Sequence, residues 1–183
     1  MPALIIVLVI LFLIIIYLIA TYNGLVSLRN RVNDQWSQID VELKRRFDLI
    51  PNLVNTVKGY TKHESETLEN VVKARNTYLS ASTKEEAMEA NNELSNAITK
   101  LFALSESYPD LKANTNFIDL QNQLKETEDK ISYARKFYND TALLLNNKVE
   151  MFPSNIVANM FGFKKAEFFK AAESERENIK VEF

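Results

Sequence analysis

Residues 3 to 20, ALIIVLVILFLIIIYLIA, are 18 consecutive apolar residues, and no charged side chain precedes Arg29. A bilayer core of about 30 Å calls for about 20 such residues in a helix, because a helix satisfies its own backbone polar groups where no water can. A secretory signal would be shorter, would carry Lys or Arg ahead of the apolar run and would end in an A-x-A-like site. Met1-Pro2-Ala3 holds no basic residue and no such site follows Ala20, so the run reads as an uncleaved anchor. Tyr17 and Tyr22 lie at its far end, where amphipathic rings favour the headgroup layer, so the exit falls near residue 22.

Positive residues close to a span are retained on the cytoplasmic side. Only the α-amino group lies before this span, whereas Arg29 and Arg31, then Lys44, Arg45 and Arg46, lie after it. The expected orientation is a single pass with the N-terminus outside and the body in the cytoplasm.

The residues that remain suit one domain of ordinary size. Three glycines and four prolines are too few to turn a protein of many short strands, so the expected class is all-α. With 22 basic and 24 acidic residues the net charge is −2, which gives no basic face for nucleic acid. The chain has no cysteine, which excludes disulfides, thiolate metal sites and a cysteine nucleophile and leaves the compartment open.

Beyond the anchor, Leu25, Leu28, Val32, Trp36, Ile39, Leu43, Phe47, Ile50, Val54 and Val57 recur at spacings of three and four, a helical seam close to a heptad repeat. Trp36 occupies a seam position and is expected to pack in the core; an uncovered seam at Val32, Trp36 and Ile39 would instead meet a second copy. Asp40 with Lys44, Glu42 with Arg46 and Glu69 with Lys73 are i, i+4 pairs of favourable order and read as a solvated face. Leu68, Val71, Val72 and Tyr78 continue the pattern, so one helix is expected to run from the membrane to about Leu79. Pro51 withholds a donor from the carbonyl of Phe47 and crowds that turn, which predicts a kink rather than a stop. The polar residues Asp48, Asn52, Asn55 and Lys58 are expected to satisfy the freed carbonyl, or else to line a groove for a partner segment.

Thr83 with Glu86 three residues on forms a capping box, and a new helix is expected from Lys84 to Tyr108, before Pro109. Its stripe of Ala87, Leu94, Ile98, Leu101, Phe102 and Leu104 is interrupted by one polar exception, Asn91. After a short polar connection, Phe117, Leu120, Leu124, Ile131, Ala134, Tyr138, Thr141 and Leu145 mark a third long helix ending before Pro153. Short loops between long helices imply an antiparallel up-and-down bundle of three long helices plus a short C-terminal helix. That last piece begins at Ser154, a potential cap, and closes at Gly162 in the left-handed conformation. The expected organisation is an anchor over 1–22, a bundle over 23–163 and a partly packed or frayed tail over 164–183.

The stretch Trp36-Ser37-Gln38-Ile39-Asp40-Val41-Glu42-Leu43-Lys44-Arg45-Arg46-Phe47-Asp48-Leu49-Ile50-Pro51-Asn52-Leu53-Val54 follows an anchor and Tyr22-Asn23-Gly24-Leu25-Val26, and Phe152-Pro153-Ser154-Asn155-Ile156 with Phe161-Gly162-Phe163 closes the chain. With these motifs the chain resembles the bacterial LemA family over essentially its whole length. The resemblance implies one amino-terminal span and a helical-bundle body. It brings no catalytic residues, and some members are associated with intracellular membrane organelles.

Chemistry-bearing patterns are sparse. His63-Glu64-Ser65-Glu66 lacks the second histidine a zinc-protease helix needs, since position 67 is Thr67, and His63 is the only histidine and reads as an exposed helix residue. Glu64, Glu66 and Glu69 lack the Glu-x-x-His partners of di-iron bundles, and three glycines cannot build a phosphate loop. No catalytic, cofactor or metal residue is therefore assigned. The candidate partner-binding residues are Ile156, Val157, Met160, Phe161 and Phe163, which either plug the bundle or form a docking patch for a protein or the lipid surface. The expected partners are membrane lipid through residues 3–22, an unidentified protein and a further copy of the chain. The sequence thus points to a non-enzymatic scaffold or adaptor held at the membrane, with a self-assembling membrane organiser as the alternative.

Overall fold

The computed structural model describes residues 2–61 and 64–169, so His63 and the charged tail after Phe169 lie outside the described residues. Among the described residues six helices occur in this order: α1 (Pro2–Lys58), α2 (Ser65–Ser80), α3 (Lys84–Ser105), α4 (Pro109–Lys112), α5 (Thr115–Glu150) and α6 (Ser154–Met160). No strand occurs among the described residues, and the all-α expectation holds.

The contacts divide the chain into two compact units, each of which takes part of α1 and part of α5. Among the described residues the first holds 2–38 and 134–168, and the second holds 39–61, 64–133 and Phe169.

In the second unit the seam of α1 is buried at Ile39, Leu43, Phe47, Ile50, Leu53, Val54 and Val57. The helix does not continue to Leu79. It ends at Lys58, where Gly59 and Tyr60 turn back onto the carbonyls of Thr56 and Val57. Glycine gains least from a helix and a basic residue in the last turn suits its negative end, so Lys58-Gly59 is a local stop signal that the apolar period overran. The chain then returns as α2, antiparallel to α1: Tyr78 reaches Asp40 and Arg75 reaches Phe47. Four principal helices therefore build this unit where three were expected.

Pro51 sits inside α1 without ending it. The carbonyl it leaves without an amide is that of Phe47, and it accepts a hydrogen bond from Arg75 Nε at 3.2 Å. Asp48, Asn52, Asn55 and Lys58 are all exposed, so the partner comes from another helix rather than from the local polar cluster.

The capping box of α3 is formed as expected, with Thr83 accepting from the Glu86 amide at 3.1 Å and Glu86 accepting from the Thr83 amide at 3.2 Å. The helix stops at Ser105, three residues earlier than expected, and Pro109 opens the one-turn α4 at a position where its missing donor costs nothing. Asn114 then accepts the Phe117 amide at 3.0 Å and starts α5. Contacts of Ser95 with Glu128 and Phe102 with Phe117 run α3 antiparallel to α5.

In the first unit α1 and α5 pair through Trp36 and Tyr138, whose rings meet edge-on at 5.9 Å. Leu25 and Val32 are buried, whereas every large apolar residue from Leu4 to Ile16 is exposed. A helix apolar on all sides belongs in lipid, and the stretch is long and apolar enough to cross a membrane, with none of it buried by the protein.

Candidate functional site

The five residues singled out at the C-terminal end lie on and just after α6, within the first unit. Ser154 does not cap this helix; it is its first residue, and its hydroxyl donates to the Met151 carbonyl at 2.9 Å. Gly162 closes it at φ +69°, a conformation that favours glycine. The Gly162 amide donates to the Asn159 carbonyl at 3.3 Å and the Phe163 amide to the Ala158 carbonyl at 2.9 Å, the paired bonds of a Schellman end.

This geometry splits the five residues. Val157 and Phe163 are buried and cannot meet a partner, which corrects their assignment. Spacing alone could not tell the two faces apart, because both carry large apolar side chains. Ile156, Met160 and Phe161 are exposed, and Phe152, at 79% exposure the most open large apolar residue among the described residues, joins them. Ile156 and Met160 lie four apart on one face of α6, opposite Ser154, Val157 and Ala158 in the core, and Phe152 stands in the turn just before the helix.

Aromatic contacts tie this piece to the end of the apolar run. The Tyr22 ring lies 4.7 Å from that of Phe161 and 5.8 Å from that of Phe163, and the Arg29 guanidinium lies 5.2 Å from the Phe163 centroid. The segment after Gly162 is fastened along α5. Asn146 donates to the Ala166 carbonyl at 2.9 Å and accepts from the Ala166 amide at 2.7 Å, while the Tyr138 hydroxyl donates to the Glu167 carbonyl at 2.9 Å. Lys165 pairs with Glu150 at 2.7 Å, and that hydrogen bond, then the carboxylate's charge, raises the lysine pKa.

The second unit holds a polar centre that the solvated-face reading missed. Arg46 is not the surface partner of Glu42. It is buried, its Nη1 pairs with the Glu128 carboxylate at 2.5 Å, and Nη1 donates to Asn91 at 2.8 Å and to Ser95 at 3.1 Å. Burial lowers its pKa and Glu128 opposes that shift. Its orphaned Nε and the Asn91 amide nitrogen find no acceptor among the described residues. Asp40 likewise takes the Tyr78 hydroxyl at 3.0 Å while Lys44 turns to Asp48 at 3.7 Å, so the expected Asp40–Lys44 pair is replaced. The polar exception Asn91 was the available signal, since an amide in a core stripe needs a polar neighbour.

A groove of about 860 Å³ lies between the end of α1 and α2, with Val54, Leu68 and Val72 on its apolar side and Lys58, Glu69 and Lys73 among its polar lining. Among the described residues no group of three or more His, Cys, Asp or Glu side chains could hold a metal ion.

The fold and these surfaces define an all-helical, membrane-associated protein with one apolar amino-terminal helix and an antiparallel helical body. A sequence profile of the LemA family matches residues 35–183. The chain belongs to the LemA family, and the match begins beyond the apolar run. It is 27% identical to protein LemA of Metamycoplasma hominis over 158 residues, 86% of this chain and 72% of that protein. It is 26% identical to the magnetosome protein MamQ 2 of Paramagnetospirillum magneticum, over 84% of this chain and 66% of that protein. Against the magnetosome protein MamQ of Magnetospirillum gryphiswaldense the identity is 24%, over 83% and 65% of the two chains. The chain thus spans about two thirds of the MamQ proteins it matches.

Proposed function

We propose that this protein is a non-enzymatic scaffold that crosses the membrane once, through residues 3–22, and offers its helical body to protein partners on the cytoplasmic side. The observation that carries the reading is the change along α1 from a stretch exposed on every face to a seam buried from Leu25 onward. One helix therefore serves as lipid anchor and as bundle element. Arg29 and Arg31 support the cytoplasmic orientation; Arg46, consumed by Glu128, no longer counts toward it.

The groove between α1 and α2 is the surface we assign to the protein partner. Its apolar side and charged lining are the pattern that admits an amphipathic helix or an extended peptide. A photoreactive residue in place of Val72, which is 38% exposed, tests this in intact cells. The expected result is a discrete crosslink to one other protein, lost when Lys73→Glu, at an exposed position of the groove lining, is added in a variant whose melting is unchanged. Crosslinks only to the same chain would overturn it.

A second reading, self-assembly on the membrane, is favoured by Phe137 and Leu144, exposed apolar residues seven apart on one face of α5. The similarity to proteins named for magnetosomes is compatible with either reading. Concentration-dependent crosslinking through Phe137 would separate them.

A further inference from the structure

We propose that Phe152, Ile156, Met160 and Phe161 form a lipid-docking face that sits in the headgroup layer of the same bilayer that α1 crosses. The proposal rests on the reading of residues 3–22 as a membrane span.

Depth is set by Tyr22. This half-exposed ring closes the apolar run, at the level where amphipathic aromatics meet headgroups. Phe161 lies 4.7 Å from it, ring to ring, within one compact unit. Whatever covers Phe161 therefore lies at that same level, alongside the emerging helix.

The chemistry of the face matches that environment. Phe152, Ile156, Met160 and Phe161 are 79%, 52%, 62% and 54% exposed, beside a helix whose own exposed surface is apolar without a break from Leu4 to Ile16. Exposed apolar patches on soluble surfaces mark interaction sites, and one that continues a lipid-facing surface has lipid as its neighbour. A short helix with one face in the core and an apolar outer face penetrates the boundary between headgroups and acyl chains without crossing it. Exposed Asn159 flanks the stripe and supplies a polar group that the boundary accepts. Arg29, over the Phe163 ring, and exposed Lys164 add cations where anionic headgroups lie. A protein partner on this face would have to enter at headgroup depth and displace lipid from around Tyr22, so lipid is the occupant we assign.

Because the chain has no cysteine, single cysteines can carry a nitroxide label at chosen positions of the full chain. We choose Leu11 in the apolar run, Phe152 and Met160 on the proposed face, and Val72 in the second unit, all of them exposed. The labelled proteins are reconstituted into vesicles of phosphatidylcholine with a minor share of phosphatidylglycerol. Spin relaxation then reports collision with oxygen, which concentrates in lipid, against a nickel chelate, which stays in water. The proposal expects oxygen to dominate at 11, 152 and 160, with 152 and 160 shallower than 11, and the nickel chelate to dominate at 72. Nickel dominance at 152 and 160 with 11 still in lipid overturns the proposal and leaves the anchor standing. Shielding of 152 and 160 from both reagents means a protein covers the face, and also overturns it. Nickel dominance at 11 overturns the anchor and the proposal together. Unchanged helix content against the unlabelled chain verifies that each variant is folded.

Discussion

The two compact units draw on the same pair of long helices, yet they treat their stretches of α1 in opposite ways. In the unit of residues 39–133 the seam of α1 is closed over almost completely, and the buried Arg46 is answered by Glu128, Asn91 and Ser95. In the other unit the apolar run of α1 is open on every side, and away from it Phe137, Leu144, Met151, Phe152 and Met160 are open too. Water explains the first pattern and fails to explain the second. The difference teaches that burial must be judged against the solvent each unit meets, and the exposed Phe161 beside Tyr22 is where the proposed lipid contact can be tested.

Phe47→Ala should have the largest effect. The side chain is fully buried and stacked on Tyr78 with centroids 3.9 Å apart, so its loss should cost about 3 to 5 kcal/mol in reversible unfolding in mild detergent. A cost under about 1 kcal/mol would mean that the seam of this unit is not the closed core described.

Glu128→Gln should follow. Removing one partner of a fully buried ion pair costs about 3 to 5 kcal/mol, and because Glu128 keeps 34% of its side chain exposed the expected loss is smaller, about 2 to 3 kcal/mol. Arg46→Met should be milder than Glu128→Gln, since it leaves behind the partly hydrated member of the pair. The reverse order would show that Arg46 is hydrated.

A double-mutant cycle isolates the Arg75 hydrogen bond. Arg75→Ala should destabilise by about 1 kcal/mol through the stranded Phe47 carbonyl. Pro51→Ala restores an amide to that carbonyl, so Arg75→Ala should cost less in its presence. Strict additivity would show that the carbonyl is satisfied otherwise.

Phe152→Ser should change stability in detergent by less than about 0.5 kcal/mol, because the side chain touches little of the protein. Set beside Phe47→Ala, it measures the contrast between the units directly. A loss as large as that of Phe47→Ala would make Phe152 part of a core.

The smallest effect is one of pH. Burial, then the hydrogen bond to Asp40, raises the Tyr78 pKa above its ordinary value of 10.0. A folded pKa above the unfolded one contributes stability that is present below about pH 10 and is lost as pH rises toward the folded value. Tyr78→Phe should flatten that alkaline decline in a melting series, and an unchanged slope would show that the phenol titrates normally.

Features encoded in neighbouring residues were legible in the chain itself. The apolar run, the capping box at Thr83 and Glu86, the left-handed Gly162 and the seam from Leu25 to Val57 each depend on local spacing and backbone preference, and the structure bears them out. The stop at Lys58 was also local, but Gly59 was outweighed by apolar residues that resume the same period at Leu68. Tertiary structure alone decided where Arg46 points, because its partner Asn91 lies 45 residues on and Glu128 lies on yet another helix. It also decided that Arg75 answers, across 28 residues, the Phe47 carbonyl that Pro51 leaves free, and which of the C-terminal apolar side chains face inward. A period of three and four tells which residues share a face. What that face meets is settled only when distant helices, or lipid, take up the space beside it.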